Sequence, residues 1–325
     1  MARVGILGAG AWGTALALVA ARAGNTVTLV PRDAPTARAI RAARASPRLP
    51  GVPLPEAVAV ADDPAALEAA ELVLLVVPTQ SLRRVAARLP PLACPLLQGA
   101  KGLELGSGLR PSEVLAAVRP ELEVGTLSGP SFAAEVARGL PTAISLAFAR
   151  LETARRVAGL LASPAFRPYP SDDLVGVELG GACKNVIAIA AGIVMGRGLG
   201  ENARAALLTR GLAEIARLAE ALGARRATLM GLSGLGDLVL TATSLASRNT
   251  AFGHALGRGR AAAELLGEGA ALVEGAFTAE AACTLAARYG IELPILEAVR
   301  RVVAGTIPVE AAISELLARP LPEQE

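Results

Sequence analysis

The stretch that most constrains this chain lies at its N-terminus. Val4 to Leu7 is a short apolar run of strand character, Gly8-Ala9-Gly10-Ala11-Trp12-Gly13 follows, and an Ala-rich helical stretch continues to about Ala23. A glycine triplet alone is a weak signal, but between a strand and a helix each glycine has its own use. Gly8 permits the tight turn, Gly10 lets a pyrophosphate approach the backbone, and Gly13 lets helix and strand pack closely. The N-terminus of the helix then offers its N–H groups to phosphate. Gly24-Asn25 ends the helix and Thr26 to Val30 reads as a second strand, with Pro31-Arg32-Asp33 at its tip. An acid there suits the ribose hydroxyls of NAD, and an arginine suits the 2′-phosphate of NADP. Both are present. Arg32 stands where the strand ends, so the reading leans to NADPH with NADH tolerated, and Asp33 is equally well read as a solvated charge.

The β/α alternation continues through Ala57 to Val60, Leu72 to Val77 ending at Pro78, Pro95 to Leu97, Glu123 to Leu127, Thr142 to Phe148 and Phe166 to Tyr169. Leu72 to Val77 is apolar throughout, as suits a parallel strand buried on both faces. The expected fold class is α/β, a doubly wound Rossmann-type N-terminal domain followed by an all-α C-terminal domain. Strand signals stop near residues 170 to 180, which places the domains at 1–175 and 176–325. In the second half, Leu208, Leu212, Ile215, Ala219 and Leu222 recur at helical spacing, with Asn202 expected as the cap and Gly223 as the terminator. That spacing reads as core packing, while large apolar stripes in the helical half as a whole suit a homodimer.

Composition narrows the chemistry. Of 32 Lys plus Arg only two are lysine, Lys101 and Lys184, so guanidinium is used almost everywhere that positive charge is wanted. An ammonium differs in that burial can bring its proton affinity into the working range. Lys184 stands in the apolar, glycine-flanked stretch Gly180 to Gly192, read as a helix start, and Lys101 just past a strand's C-terminal end, the edge where open α/β sheets bind ligands. The plainer alternative is that residue usage left two lysines by chance. Cys94, Cys183 and Cys283 form no C-x-x-C pair, and the sole histidine, His254, has no carboxylate close by in sequence. Neither a zinc site nor a histidine-based dehydrogenase is indicated. A net charge of +3 with two Tyr and one Trp gives no platform for nucleic acid. No run reaches the roughly 20 uninterrupted apolar residues of a membrane span, and the N-terminus shows no signal-peptide pattern, so a cytoplasmic location is the default expectation.

Three further segments carry polar groups in apolar surroundings. Ser128-Gly129-Pro130-Ser131 follows a strand, with Pro130 expected in the first turn of a helix. In Gly234 to Thr250, a helix opened by Asp237 would align Asp237, Thr241 and Ser244 on one face, and Ser247-Arg248-Asn249-Thr250 would start a new helix suited to a phosphate. Asp237 reads either as a cap or as the partner that holds an ammonium such as Lys184.

These segments together resemble the bacterial-type NAD(P)-dependent glycerol-3-phosphate dehydrogenases, from Gly8 to about Glu274. The matching motifs are the glycine fingerprint, Ala100-Lys101-Gly102-Leu103, Ser128 to Ala133, Gly181-Ala182-Cys183-Lys184-Asn185, Gly234-Leu235-Gly236-Asp237, Ser247-Arg248-Asn249 and Val273-Glu274-Gly275. The resemblance implies reversible reduction of dihydroxyacetone phosphate to sn-glycerol 3-phosphate with NADP or NAD as cofactor, feeding phospholipid synthesis. It implies Lys184 as the proton-transferring residue, assisted by Lys101 and Asp237, with Asn185 and Thr241 as orienting donors. Ser247, Arg248 and Asn249 would hold the substrate phosphate, and Gly129 and Ser131 would contact the substrate. Ala11, Trp12, Arg32, Ala133, Leu272 and Glu274 would contact the cofactor beside Gly8, Gly10 and Gly13, with Lys101 and Arg248 reaching it as well. Cys183 and Leu272 depart from the residues expected in relatives, as packing changes only. Two rivals stay open: a β-hydroxyacid dehydrogenase with a Lys/Asn pair, and a non-catalytic NADP-binding sensor that regulates a partner.

Overall fold

The structure, a computed structural model, describes residues 1–320. Two compact units are formed, one from Met1–Lys101 with Leu109–Glu178, the other from Gly102–Gly108 with Leu179 onward. The division is therefore not a single cut, since a short segment following Lys101 belongs with the helical unit.

The first unit is built on one eight-stranded sheet: β1 (Arg3–Leu7), β2 (Thr26–Val30), β3 (Val58–Val60), β4 (Leu72–Leu75), β5 (Leu96–Gln98), β6 (Val124–Ser128), β7 (Thr142–Phe148) and β8 (Phe166–Ser171). Their order is β3-β2-β1-β4-β5-β6-β7-β8. The first six are parallel, and the chain switches direction of travel between β1 and β4, the point where doubly wound sheets open a ligand crevice. Helices α1 (Ala11–Arg22), α2 (Ala34–Ala43), α3 (Leu82–Ala86), α4 (Pro111–Val118), α5 (Ala133–Ala137) and α6 (Leu151–Leu161) connect the strands. Two buried apolar clusters form, one containing Ile6, Leu16, Leu29 and Phe148, the other Leu75, Leu82, Leu96 and Val114. Burial of such side chains is the main stabilising term, each giving roughly 1.5–3 kcal/mol.

Some local expectations are corrected. The strand expected through Val77 ends at Leu75. β7 runs antiparallel to β6, whereas β8 is parallel to β7; an antiparallel return needs no full crossover helix, and only the short α5 intervenes. Pro130 is not in a first helical turn, because α5 begins at Ala133. Gly129, at φ +149, lies so close to β7 that a Cβ would sit 2.9 Å from the Ile144 backbone, which leaves the segment a tight turn.

The second unit is helical: most of α7 (Leu174–Gly196), then α8 (Gly200–Ala221), α9 (Arg226–Leu229), α10 (Asp237–Ala242), α11 (Arg248–Gly257), α12 (Ala262–Leu265), α13 (Glu274–Arg288), α14 (Pro294–Val303) and α15 (Val309–Leu317). Among the described residues α7 alone is long and apolar enough to cross a bilayer, and nearly all of it is buried within the protein. It begins ten residues before Lys184, because the Asp173 carboxylate accepts from Gly176 N at 2.9 Å and caps its first turn. Lys184 is thus in a helix interior and not, as expected, at a helix start. α8 likewise begins at Gly200, so Asn202 lies inside the helix and is not its cap. The apolar stripe of α8 does face inward, with Leu212, Ile215 and Ala219 buried. Crossing of α7 and α11 depends on missing side chains: a Cβ on Gly253 would sit 1.9 Å from Ile189 O, and one on Gly192 would sit 2.2 Å from Thr250 O. His254 lies on α11 at this crossing, its backbone nitrogen 2.7 Å from where a Gly192 Cβ would be.

Candidate active site

In the first unit the glycine fingerprint joins β1 to α1 at the switch point. Gly8 has φ +113, and a Cβ there would lie 2.1 Å from Val76 O; a Cβ on Gly13 would lie 1.8 Å from Gly8 O. Both positions require glycine for packing. Gly10 differs, because a Cβ there would meet nothing within 4 Å. Open space in front of this backbone is what a pyrophosphate needs, and Gly10 caps α1 without covering its first N–H groups by a side chain. Beside it, the buried Trp12 Nε1 has no hydrogen-bond partner among the described residues, and a side chain on Gly99 would crowd it at 3.3 Å. An open cradle with an orphaned donor next to it fits a dinucleotide.

At the tip of β2, Arg32 is largely exposed and its Nε lies 2.8 Å from Asp33 Oδ2. The other Asp33 oxygen accepts from Thr36 N at 2.8 Å, so Asp33 is the N-cap of α2. These hydrogen bonds from Thr36 and the Arg32 guanidinium hold the Asp33 carboxyl below the usual carboxylate range. Lys101 Nζ donates to Gly129 O at 3.0 Å, and Ser131 Oγ donates to the same carbonyl at 2.9 Å. Lys101 thus meets the Gly129–Ser131 turn, 28 residues on, at the C-terminal edge of the sheet; Ala133 follows at the first residue of α5.

The second unit holds the other lysine. Lys184, 5% exposed, donates from Nζ to Asp237 Oδ1 at 3.0 Å and to Thr241 Oγ1 at 2.6 Å, while Thr241 Oγ1 donates to Asp237 Oδ1 at 3.2 Å. Asp237 and Thr241 are one turn apart on α10, the spacing that brings side chains onto one face. A π-helical turn, Leu232–Gly236, leads directly into Asp237, a distortion often found at functional sites. Ser244 does not extend this face as expected, because α10 ends at Ala242 and Ser244 Oγ accepts from Ala246 N in the following turn.

α11 starts where expected. Ser247 is its N-cap, accepting from Thr250 N at 3.3 Å, and Thr250 Oγ1 donates to Thr241 O at 2.6 Å, which ties α11 to α10. Arg248 is exposed in the first turn. Asn249 donates from Nδ2 to Asn185 Oδ1 at 2.9 Å, and its Oδ1 accepts from Gly275 N at 3.0 Å. A Cβ on Gly275 would lie 2.6 Å from Asn185 O, so α13 can begin there only with glycine. Asn185, Asn249 and the Leu272–Glu274 approach to α13 are thereby held in one arrangement. Cys183, beside Lys184, is fully buried and its thiol is pushed up to about 12 by that burial, so it packs as a small inert side chain.

Four polar residues of the first unit, Gln98, Arg110, Ser112 and Glu178, carry no motif that singles them out in the sequence. Glu178 is fully buried yet accepts from Arg110 Nη1, Ser112 N, Ser112 Oγ and Gln98 Nε2. Burial pushes the Glu178 carboxyl above the usual carboxylate range, against the pull of Arg110 and Ser112. The available signal was a lone acid and a lone amide inside apolar runs.

A glycine-rich βαβ crossover opening a parallel sheet, with a helical unit that buries a Lys–Asp pair, defines a nucleotide-dependent oxidoreductase. The chain belongs to the NAD-dependent glycerol-3-phosphate dehydrogenase family, whose N-terminal model matches residues 3–154 and whose C-terminal model matches residues 173–314. It is 54% identical over 323 residues to a Rhodospirillum rubrum protein named glycerol-3-phosphate dehydrogenase, NAD(P)+, covering 98% of this chain and 93% of the relative. A Bradyrhizobium protein of the same name is 52% identical over 325 residues, covering 99% and 98%. Among solved structures, glycerol-3-phosphate dehydrogenase from Coxiella burnetii superposes with a TM-score of 0.92 at 40% identity, covering 98% of this chain and 99% of that one.

Proposed function

We propose that this protein catalyses the reversible reduction of dihydroxyacetone phosphate to sn-glycerol 3-phosphate with NAD(P)H, in the cytoplasm, supplying glycerophospholipid synthesis. The observation that carries the reading is Lys184, a buried amine on an apolar helix with a carboxylate and a hydroxyl fixing its Nζ. Burying such a charge is costly unless it is paired, and a chain that otherwise relies on arginine places one of its two lysines here.

Gly8, Gly10, Gly13, Ala11 and Trp12 would hold the dinucleotide, with Arg32 toward a 2′-phosphate and Ala133, Leu272 and Glu274 as further contacts. When bound, the cofactor supplies the hydride. Lys184 Nζ gives its proton to the carbonyl oxygen of the substrate, and Asp237 and Thr241 hold that nitrogen in one orientation. Lys101 adds a second positive charge where the oxygen gains negative charge, aided by Asn185. Arg248 and the first N–H groups of α11 bind the phosphate, with Ser247 and Asn249 shaping that helix start and Gly129 and Ser131 contributing to substrate contact. Exposed Met230, Leu235, Val239 and Leu245 in the helical unit support a homodimer, which sedimentation would test.

The deciding assay follows NADPH and NADH oxidation with dihydroxyacetone phosphate against short keto acids. Turnover confined to dihydroxyacetone phosphate supports the reading. Turnover of keto acids instead favours a β-hydroxyacid dehydrogenase, and no oxidation with either favours a sensor.

A further inference from the structure

Gln98 is the last residue of β5, completely buried, and three residues ahead of Lys101. A primary amide in an otherwise apolar strand is costly unless all its polar atoms are matched. Here they are. Nε2 donates to Thr126 Oγ1, its register partner on β6, at 2.5 Å and to Glu178 Oε1 at 3.4 Å, while Oε1 accepts from Ala100 N at 2.6 Å. The two donors face oxygens and the one acceptor faces an N–H, so the amide has a single orientation. A flip would set its oxygen against a carboxylate.

Glu178 is itself anchored, with Arg110 Nη1 at 2.8 Å, Ser112 N at 2.7 Å and Ser112 Oγ at 2.6 Å. A continuous chain of hydrogen bonds therefore runs from the first turn of α4 through Glu178 and Gln98 to the Ala100 N–H. The next residue is Lys101, whose Nζ lies on Gly129 O.

We propose that Gln98, oriented by Glu178, is the positioning residue for Lys101 in the reduction. It fixes the backbone that carries Lys101 and touches no substrate. The role rests on Lys101 acting as the second cation in the proposed reaction.

The test is a double-mutant cycle. Gln98→Leu keeps the bulk and deletes both donors and the acceptor; it should lower kcat about tenfold to a hundredfold, the scale of a misplacement near one ångström. In a Lys101→Ala background the same change should cost less than about threefold more, because coupled residues are not additive. Equal losses in both backgrounds overturn the proposal and leave the role of Lys101 intact. Full activity of Lys101→Ala removes the role of Lys101, and this proposal with it. Gln98→Glu supplies a readout that a purely structural role would not move. Its carboxyl still accepts from Ala100 N but opposes Glu178 when ionised and can donate to it when protonated, so its kcat relative to the wild type should recover as pH falls. A ratio independent of pH overturns the proposal, and this arm decides should Gln98→Leu not fold.

Discussion

Lys184 Nζ lies 3.0 Å from Asp237 Oδ1, with neither side chain more than 7% exposed. They are 53 residues apart in sequence and stand on different helices, α7 and α10. Removing one partner takes the ion pair away from the other buried charge. Asp237→Ala should cost about 3–5 kcal/mol of stability, measured by denaturant unfolding, along with most of the activity. Lys184→Met combined with Asp237→Leu should recover most of that stability and none of the activity. A single Asp237→Ala variant as stable as the wild type contradicts the pairing.

The glycine cradle separates fold from cofactor binding. Gly13→Ala places a methyl 1.8 Å from Gly8 O and should destabilise the first unit. Gly10→Ala meets nothing within 4 Å and should leave the melting temperature unchanged while weakening NADPH binding, read by fluorescence titration. Equal loss of stability in both variants would mean that Gly10 serves packing alone.

Arg248 is exposed at the start of α11, where an arginine can form charge-assisted bonds to phosphate. Arg248→Ala should raise KM for dihydroxyacetone phosphate by the loss of about 1.5–3 kcal/mol per contact. An unchanged KM removes the phosphate assignment.

Glu214 links α8 to α14 by accepting from Ile295 N at 2.9 Å and Leu296 N at 3.2 Å. Burial pushes its carboxyl up to about 7 from 4.5, against the pull of those N–H groups and of Arg217 and Arg319. The folded state thus holds a proton that the unfolded chain has already released. The stability contribution is fully present below pH 4.5 and is lost as pH rises through about 7, a change on the order of 3 kcal/mol. Glu214→Gln, which cannot ionise, should abolish this component of the pH dependence between those limits. A wild-type and a variant stability curve that run parallel across the window contradict it.

Much of the first unit can be read in the sequence because its determinants are local. A glycine triplet between strand and helix, apolar runs of strand length and an arginine at the tip of β2 act within a few residues of one another. Lys184 stands out by scarcity and Ser247 by its capping chemistry. The glycines near Lys184 look like breakers, which is why the sequence suggests a helix start there. In the fold Gly180 instead admits Ser233, whose carbonyl oxygen would lie 3.0 Å from a Cβ there, so the helix runs on. Ser244 aligns with Asp237 only on the assumption of an unbroken helix, and α10 stops before it. Of the Glu178 network the sequence shows only an acid and an amide inside apolar runs, since Arg110 lies 68 residues away and only the fold brings it to the carboxylate.

In the proposed reaction Lys184 hands over the proton to dihydroxyacetone phosphate, a role that a guanidinium, never neutral in proteins, performs poorly. The most direct measurement is kcat of Lys184→Arg for NADPH oxidation with dihydroxyacetone phosphate, on protein whose melting temperature and cofactor affinity match the wild type. A fall on the order of 10²- to 10⁴-fold is predicted. An arginine variant that turns over at the wild-type rate contradicts the claim.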